Sequence, residues 1–280
     1  MVIKYSVMLK AQPKLGKKKL FLAKHPHCCF CGGTESATTL DHVPPKACFP
    51  AGYWPEGFEF PACEACNLPT NKYDQIFGFY AMCVDFSKEN RTPAALARFA
   101  ELKAGILNNY PDALPNTVGS RPIFSTGSIV TPTPLAVEIS RPPAFRDAAT
   151  VIAQKLTHAL YYRECGKALT SDHWLLSDFY QPQRSDTRLL TDFFVELLPD
   201  QTIGTRSNLR QYGERFAYKF LVREEDDFFV YAAQFGRGLI LWGIVLGPGL
   251  AVSGLQEPLR SKPWHRGACG LGSILSLKAP

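Results

Sequence analysis

Between His25 and Lys72 the chain carries two C-x-x-C pairs, Cys28 with Cys31 and Cys63 with Cys66. No other feature limits the possible folds so tightly. Two thiolates spaced this way sit on a tight knuckle that aims both sulfurs at one point, and two knuckles supply the four ligands of a closed, structural zinc site. Cys29 competes with Cys28 for the first position. The spacing favours Cys28 and leaves Cys29 as a small buried apolar residue. Gly32 and Gly33 follow the first pair and let the backbone curl back toward the metal. A closed site has no open coordination position, so any chemistry needs a second centre.

That centre is sought between and just after the pairs. Asp41-His42 precedes Val43-Pro44-Pro45, and Asn67 directly follows Cys66. Thr38 to His42 reads as a short strand, and at a strand end two adjacent side chains can serve one site despite pointing to opposite faces. A carboxylate, an amide oxygen and retained waters suit Mg²⁺ or Mn²⁺ better than zinc. Bound to a phosphodiester, such an ion would stabilise charge on the leaving oxygen. The imidazole, with an ordinary pKa near neutrality, suits a base that takes a proton from water.

Composition narrows the setting. The 280 residues are 46% hydrophobic and 20% charged, enough for an ordinary globular core. The longest apolar run, Leu239 to Leu250, is interrupted by Gly243, Gly247 and Pro248, too broken for a membrane span. With C-x-x-C pairs and no export signal, the nine cysteines read as zinc ligands and reduced thiols, which makes the cytoplasm the expected location and a membrane partner unexpected. The net charge of +6 is unevenly placed: residues 1–34 hold seven lysines, at positions 4, 10, 14, 17, 18, 19 and 24, and no acidic residue. A basic arm beside a site attracts a polyphosphate such as nucleic acid, although lysine runs also serve only as solvated tails.

Along the chain, a short helix is expected over Lys17 to Lys24. Another is expected from about Thr70, where Tyr73, Ile76, Phe77, Tyr80, Ala81 and Val84 recur at helical steps. A third starts at Thr92-Pro93, with Thr92 as N-cap, and ends near Asn109. Seven prolines between 110 and 143 mark a connector with one strand around Ala136 to Ile139. A long helix follows from Ala144 to Cys165, closed by Gly166. Residues 168–198 suggest a short helix or two. Residues 216–222, 228–235 and 239–246 suggest an antiparallel meander. The expected parts are residues 1–109 as basic arm, site module and helices, 110–143 as connector, and 144–280 as a C-terminal region of helix plus antiparallel sheet.

The order C-x-x-C-G, LDHVPPK, PACEACN and then a lysine resembles the HNH endonuclease superfamily and its ββα-metal fold. The likeness is strongest to the bacterial branch in which DHVPPK is followed by F-P and later by V-P-A-C-x-x-C-N. It covers about residues 25–75. It implies an α+β protein with a zinc-stapled N-terminal module that hydrolyses phosphodiester bonds in nucleic acid, with DNA placed ahead of RNA. His42 would be the general base, Asp41 and Asn67 the ligands of the catalytic divalent ion, and Cys28, Cys31, Cys63 and Cys66 the zinc ligands. Lys17, Lys18, Lys19, Lys24, Lys46 and Lys72 would contact the nucleic acid. One position departs from the pattern. Glu56 stands where the family usually has an Asn that steadies the loop carrying the His, and an ionised Glu cannot donate a hydrogen bond. Residues 155–169, KLTHALYYRECGKAL, faintly resemble the region after the nuclease module in some HNH proteins of unknown role.

Two alternatives stand beside this expectation. In one the zinc fold persists, Glu56 marks lost catalysis and the chain only binds nucleic acid; separately, Asn67 could serve only to cap the helix that follows. In the other, residues 144–280 hold the nuclease in check until a regulatory protein, or a second copy of the chain, engages them. Cys48, Cys83 and Cys165 read as core residues, and His158 as packed or solvent-facing. His265 with Cys269 makes only a weak second metal site.

Overall fold

The computed structural model describes residues 16–50, 53–84, 92–114, 116–124, 134–140, 142–180, 205–212, 215–236, 239–255, 257 and 259–267. Lys4, Lys10, Lys14 and Cys269 lie outside them.

A short helix, α1 (Lys17–Lys24), leads into the cysteine-rich segment. There β1 (Thr39–His42) pairs antiparallel with β2 (Glu59–Ala62), setting Asp41 opposite Phe60 and His42 opposite Glu59. The one-turn helix α2 (Glu64–Asn67) follows at once, and α3 (Asn71–Val84) after a single 3-10 turn. Next come α4 (Pro93–Asn109), β3 (Asn116–Phe124) and β4 (Pro134–Ser140). Thr92 caps α4 as its sequence suggests, its hydroxyl oxygen accepting the Ala95 amide at 3.2 Å. Where one strand was expected in the Pro-rich connector, β3 and β4 pair as an antiparallel ribbon. A two-stranded ribbon consists only of edges, where a residue such as Pro122 is tolerated.

The long helix α5 (Pro143–Cys165) ends at Gly166, which takes the left-handed conformation at φ 74°. After it come β5 (Trp174–Tyr180), β6 (Thr205–Tyr212), β7 (Phe216–Arg223), β8 (Phe228–Phe235), β9 (Leu239–Leu246) and the two-residue β10 (His265–Arg266). They form one antiparallel sheet in the order β10-β5-β9-β8-β7-β6. The expected meander is β7-β8-β9. Of residues 168–198, whose sequence suggests a short helix or two, 174–180 instead form β5, because WLLSDFY satisfies a strand that β9 completes along its whole length, and residues 181–198 lie outside the described residues. Among the described residues no helix is long and apolar enough to cross a membrane.

α5 occupies the middle of the protein, and its polar residues separate onto two faces. Lys155, His158, Tyr162 and Arg163, spaced as one helical face, meet the cysteine module. Lys155 reaches Asp41, the His158 ring approaches Phe30, Tyr162 binds His25 Nδ1 at 2.8 Å, and Arg163 donates to the Gly57 carbonyl at 2.5 Å. Thr157, Tyr161 and Glu164 meet the sheet through Tyr231, Asp227 and Tyr218. Fifteen of its residues are buried, among them Gln154, Lys155, Thr157 and His158. One hydrophobic core therefore runs from Cys28 through α3 and α5 to Val245.

α3 lies directly on the 3-10 turn Lys46–Cys48 that follows the Asp41-His42 strand. The contact is close enough to require glycine. A Cβ at Gly78 would lie 2.7 Å from the Ala47 carbonyl carbon, so backbone would have to move. Gly78→Ala should therefore destabilise the protein by about 1–3 kcal/mol, the usual range for overpacking. Chemical denaturation of the variant beside the wild type measures this.

Candidate functional site

Four thiols converge as the spacing predicts. The sulfurs of Cys28, Cys31, Cys63 and Cys66 all lie within 4.8 Å of one another, and all four residues are buried. Gly32 and Gly33 adopt positive φ of 70° and 80° and return the chain, so that the Gly33 amide reaches the Cys28 carbonyl at 3.0 Å. The Phe30 amide points at the Cys28 sulfur, 3.4 Å away. Cys66 lowers the Cys28 thiol to about 5 by hydrogen bonding to its thiolate, while Cys66 itself is pushed up. The set fits one tetrahedral zinc ion. Cys29 is outside the set, fully buried, with its thiol pushed up mainly by burial. Cys48 is buried, and Cys83 and Cys165 are half-buried.

Beside the thiols a cleft of about 350 Å³ is lined by Asp41, His42, Lys46, Asn67, Asn71 and Asp74, among others. The three residues proposed for catalysis thus share one cavity. β1 ends at His42, which places its ring on the same cleft as Asp41. Cross-strand pairing brings Glu59 Oε1 to 3.6 Å from His42 Nε2. Burial, then the Lys46 charge, lower the His42 pKa against the opposing pull of Glu59 and Asp41. Asn67 makes no capping bond to the turn that follows. Its Nδ2 instead donates to Thr39 Oγ1 at 2.9 Å and the Leu40 carbonyl at 3.4 Å, tying α2 to β1. With Nδ2 committed to the strand, Oδ1 is the atom Asn67 can offer a cation.

Glu56 is exposed, and the loop after His42 is held by another donor: the Trp54 indole N–H bonds the Pro44 carbonyl at 2.8 Å. The six lysines named above are all exposed. Lys46 lines the cleft and Lys72 adjoins Asn71, whereas Lys17, Lys18, Lys19 and Lys24 lie on α1.

The residues that the sequence reading missed are those behind Asp41. Lys155, fully buried on α5, places its ammonium 3.0 Å from Asp41 Oδ2, 3.2 Å from Asp41 Oδ1, 3.1 Å from Asp74 Oδ1 and 3.0 Å from Thr70 Oγ1. Burial works against its charge, but the two carboxylates outweigh that and hold its pKa above the usual lysine value. Burial pushes Asp74 up to about 7, against the pull of Lys155. Asn71 and Asp74, one helical turn apart, could have been read as a second polar pair on the site side of α3. A charged residue inside an apolar helix was the only local sign of Lys155.

The ammonium bears on whether a hard divalent ion suits this cleft. Two carboxylates and one ammonium leave a single negative charge when both acids are ionised. Asp41, 3% exposed, meets Lys155 and also lines the cleft, and a carboxylate has about four lone-pair directions. Among the described residues only the four thiols form a converging set of three or more His, Cys, Asp or Glu ligands, so an ion in this cleft would rest on Asp41, Asn67 and water and be weakly held.

No protein-family model matches the chain, and neither does any curated protein sequence or solved structure.

Two outcomes follow from this geometry. Elemental analysis should find one zinc per chain, and Cys63→Ser should lose it together with the near-ultraviolet circular dichroism of the folded protein, since zinc binding in such small units is folding free energy. Lys155→Met should destabilise the protein by about 3–5 kcal/mol, because it leaves two carboxylates without their cation. Millimolar Mg²⁺ or Mn²⁺ should recover part of that loss, raising the melting temperature of the variant more than that of the wild type.

Proposed function

We propose that this chain is a zinc-stapled HNH-type endonuclease that hydrolyses phosphodiester bonds in nucleic acid, DNA ahead of RNA. The observation that carries the reading is the single cleft shared by His42, Asp41 and Asn67, built on a hairpin and helix beside four convergent thiols. The resemblance of residues 25–75 to that superfamily supports it.

In this reading the zinc is structural and the chemistry belongs to the cleft. His42, kept neutral near pH 7 by its lowered pKa, takes a proton from water. The water oxygen forms a bond to phosphorus as the bond from phosphorus to the leaving oxygen breaks, and that oxygen takes its proton from solvent. Glu59, across the strand pair, orients the imidazole and stabilises it once protonated. Asp41 and Asn67 would hold Mg²⁺ or Mn²⁺, which when bound supplies a positive charge for the developing negative one. Lys155 holds the Asp41 carboxylate in place. Lys46 and Lys72 meet the phosphate backbone, joined by the lysines of α1.

A second reading is favoured by one observation: the ammonium at Asp41 already neutralises the carboxylate that a metal would need. The chain would then bind nucleic acid without cutting it. Plasmid nicking separates the two. With Mg²⁺ or Mn²⁺, wild-type protein should nick and His42→Ala should be slower by about 10²–10⁴-fold, the usual contribution of a general base, while binding persists. Equal nicking by both proteins refutes the assigned base. Salt-sensitive binding with no nicking supports the second reading.

A further inference from the structure

We propose that the cavity next to His42 receives an unpaired nucleotide of a nucleic-acid strand, beside the phosphodiester that enters the cleft. The placement of that phosphodiester rests on the nuclease reading; the base site itself does not. The cavity measures about 500 Å³ and is lined by Lys46, Trp54, Ala94, Ala97, Arg98 and Glu101, among others. That volume falls within the ~300–1,000 Å³ of small-molecule sites. It adjoins the cleft, because Lys46 lines both. The His42 ring packs edge-on to Trp54, with centroids 5.0 Å apart and planes at 77°.

The lining suits an aromatic anion. Trp54 is held by its bond to the Pro44 carbonyl, so the indole is already fixed in place as a stacking surface. Lys46 Nζ sits over that ring, 5.2 Å from its centroid, so a cation on a flexible stem, not apolar packing, occupies the face. A base stacking there displaces the ammonium toward its own phosphate. The α4 wall offers the small exposed side chains of Ala94 and Ala97, which leave room for a ring. Arg98, paired with Glu101 at 3.0 Å, adds a second cation and an acceptor for the base edge. A base stacked inside a duplex cannot enter such a cavity, so the nucleotide must be unpaired or extruded.

The test is calorimetric binding to the full chain without divalent metal. The probes are a single-stranded oligonucleotide, the same sequence as a fully paired duplex, a deoxynucleoside 5′-monophosphate and inorganic phosphate. The single strand should bind about tenfold more tightly than the duplex, with the mononucleotide weaker than the strand and phosphate weaker still. Trp54→Ala should weaken strand binding by about tenfold, the value of one lost base stack, and Trp54→Phe should keep most of it. Ala97→Trp, at an exposed helix position, fills the cavity without disturbing the core and should give the same loss. Equal affinity for strand and duplex, a mononucleotide as tight as the strand, or strand binding unmoved by Ala97→Trp overturns the proposal. A wild-type chain that binds in this pattern but cuts nothing keeps the base site and loses the nuclease reading. A chain that cuts through His42 with no dependence on Ala97 or Trp54 does the reverse.

Discussion

The structure depends on one buried ammonium. Lys155 bonds Asp41 on β1, Asp74 on α3 and Thr70 in the turn between them, so three separate pieces of the candidate site are fixed by one atom from the long helix. A lysine this deep keeps its charge only because two carboxylates surround it, and the carboxylates are tolerable only because of the lysine. The site is for that reason not a property of residues 25–75 alone. Its electrostatics are completed by a residue 114 positions after Asp41. The other contacts of that face of α5, from His158, Tyr162 and Arg163, hold the hairpin against which the ammonium is aimed.

The four thiols solve a different problem. The segment around β1 and β2 has two four-residue strands and a one-turn helix, too little regular structure to fix its own shape. A segment of that size ordinarily needs a metal or disulfides. The thiols close it at the end next to Asn67, and α5 closes it at the Asp41 end. Between the two anchors His42 retains partial exposure at the end of β1, where solvent can reach it.

What could be read in the sequence was local. The C-x-x-C pairs, the glycines after the first pair, the cap at Thr92 and the stop at Gly166 each act within a few residues, and each sits where its chemistry suggests. Asp41, His42 and Asn67 line one cleft, and it was the resemblance in motif order that put them together in the sequence. Lys155 and Asp74 were not legible, because their partners lie far along the chain and periodicity cannot show which buried charge meets which. Trp54 was hidden for another reason. Its indole N–H holds the loop after His42, while the position at which the motif order expects an Asn carries the exposed Glu56. β5 escaped because a strand at residues 174–180 gains its stability from β9, more than sixty positions later.

These arrangements give the cleft a definite polarity. Its lining includes the Asp41 and Asp74 carboxylates, with the Lys155 ammonium buried behind them, while Lys46 and Lys72 stand exposed at and beside it. In the proposed nuclease reading a phosphodiester would be drawn in by the lysines and repelled by the carboxylates. The repulsion is removed only if a cation sits between the phosphate and Asp41. The same carboxylates, made less negative by Lys155 and by the raised pKa of Asp74, would bind such a cation loosely. In the proposed reading, cation and anionic substrate would stabilise each other in the cleft, and the site would be assembled in full only when nucleic acid arrives.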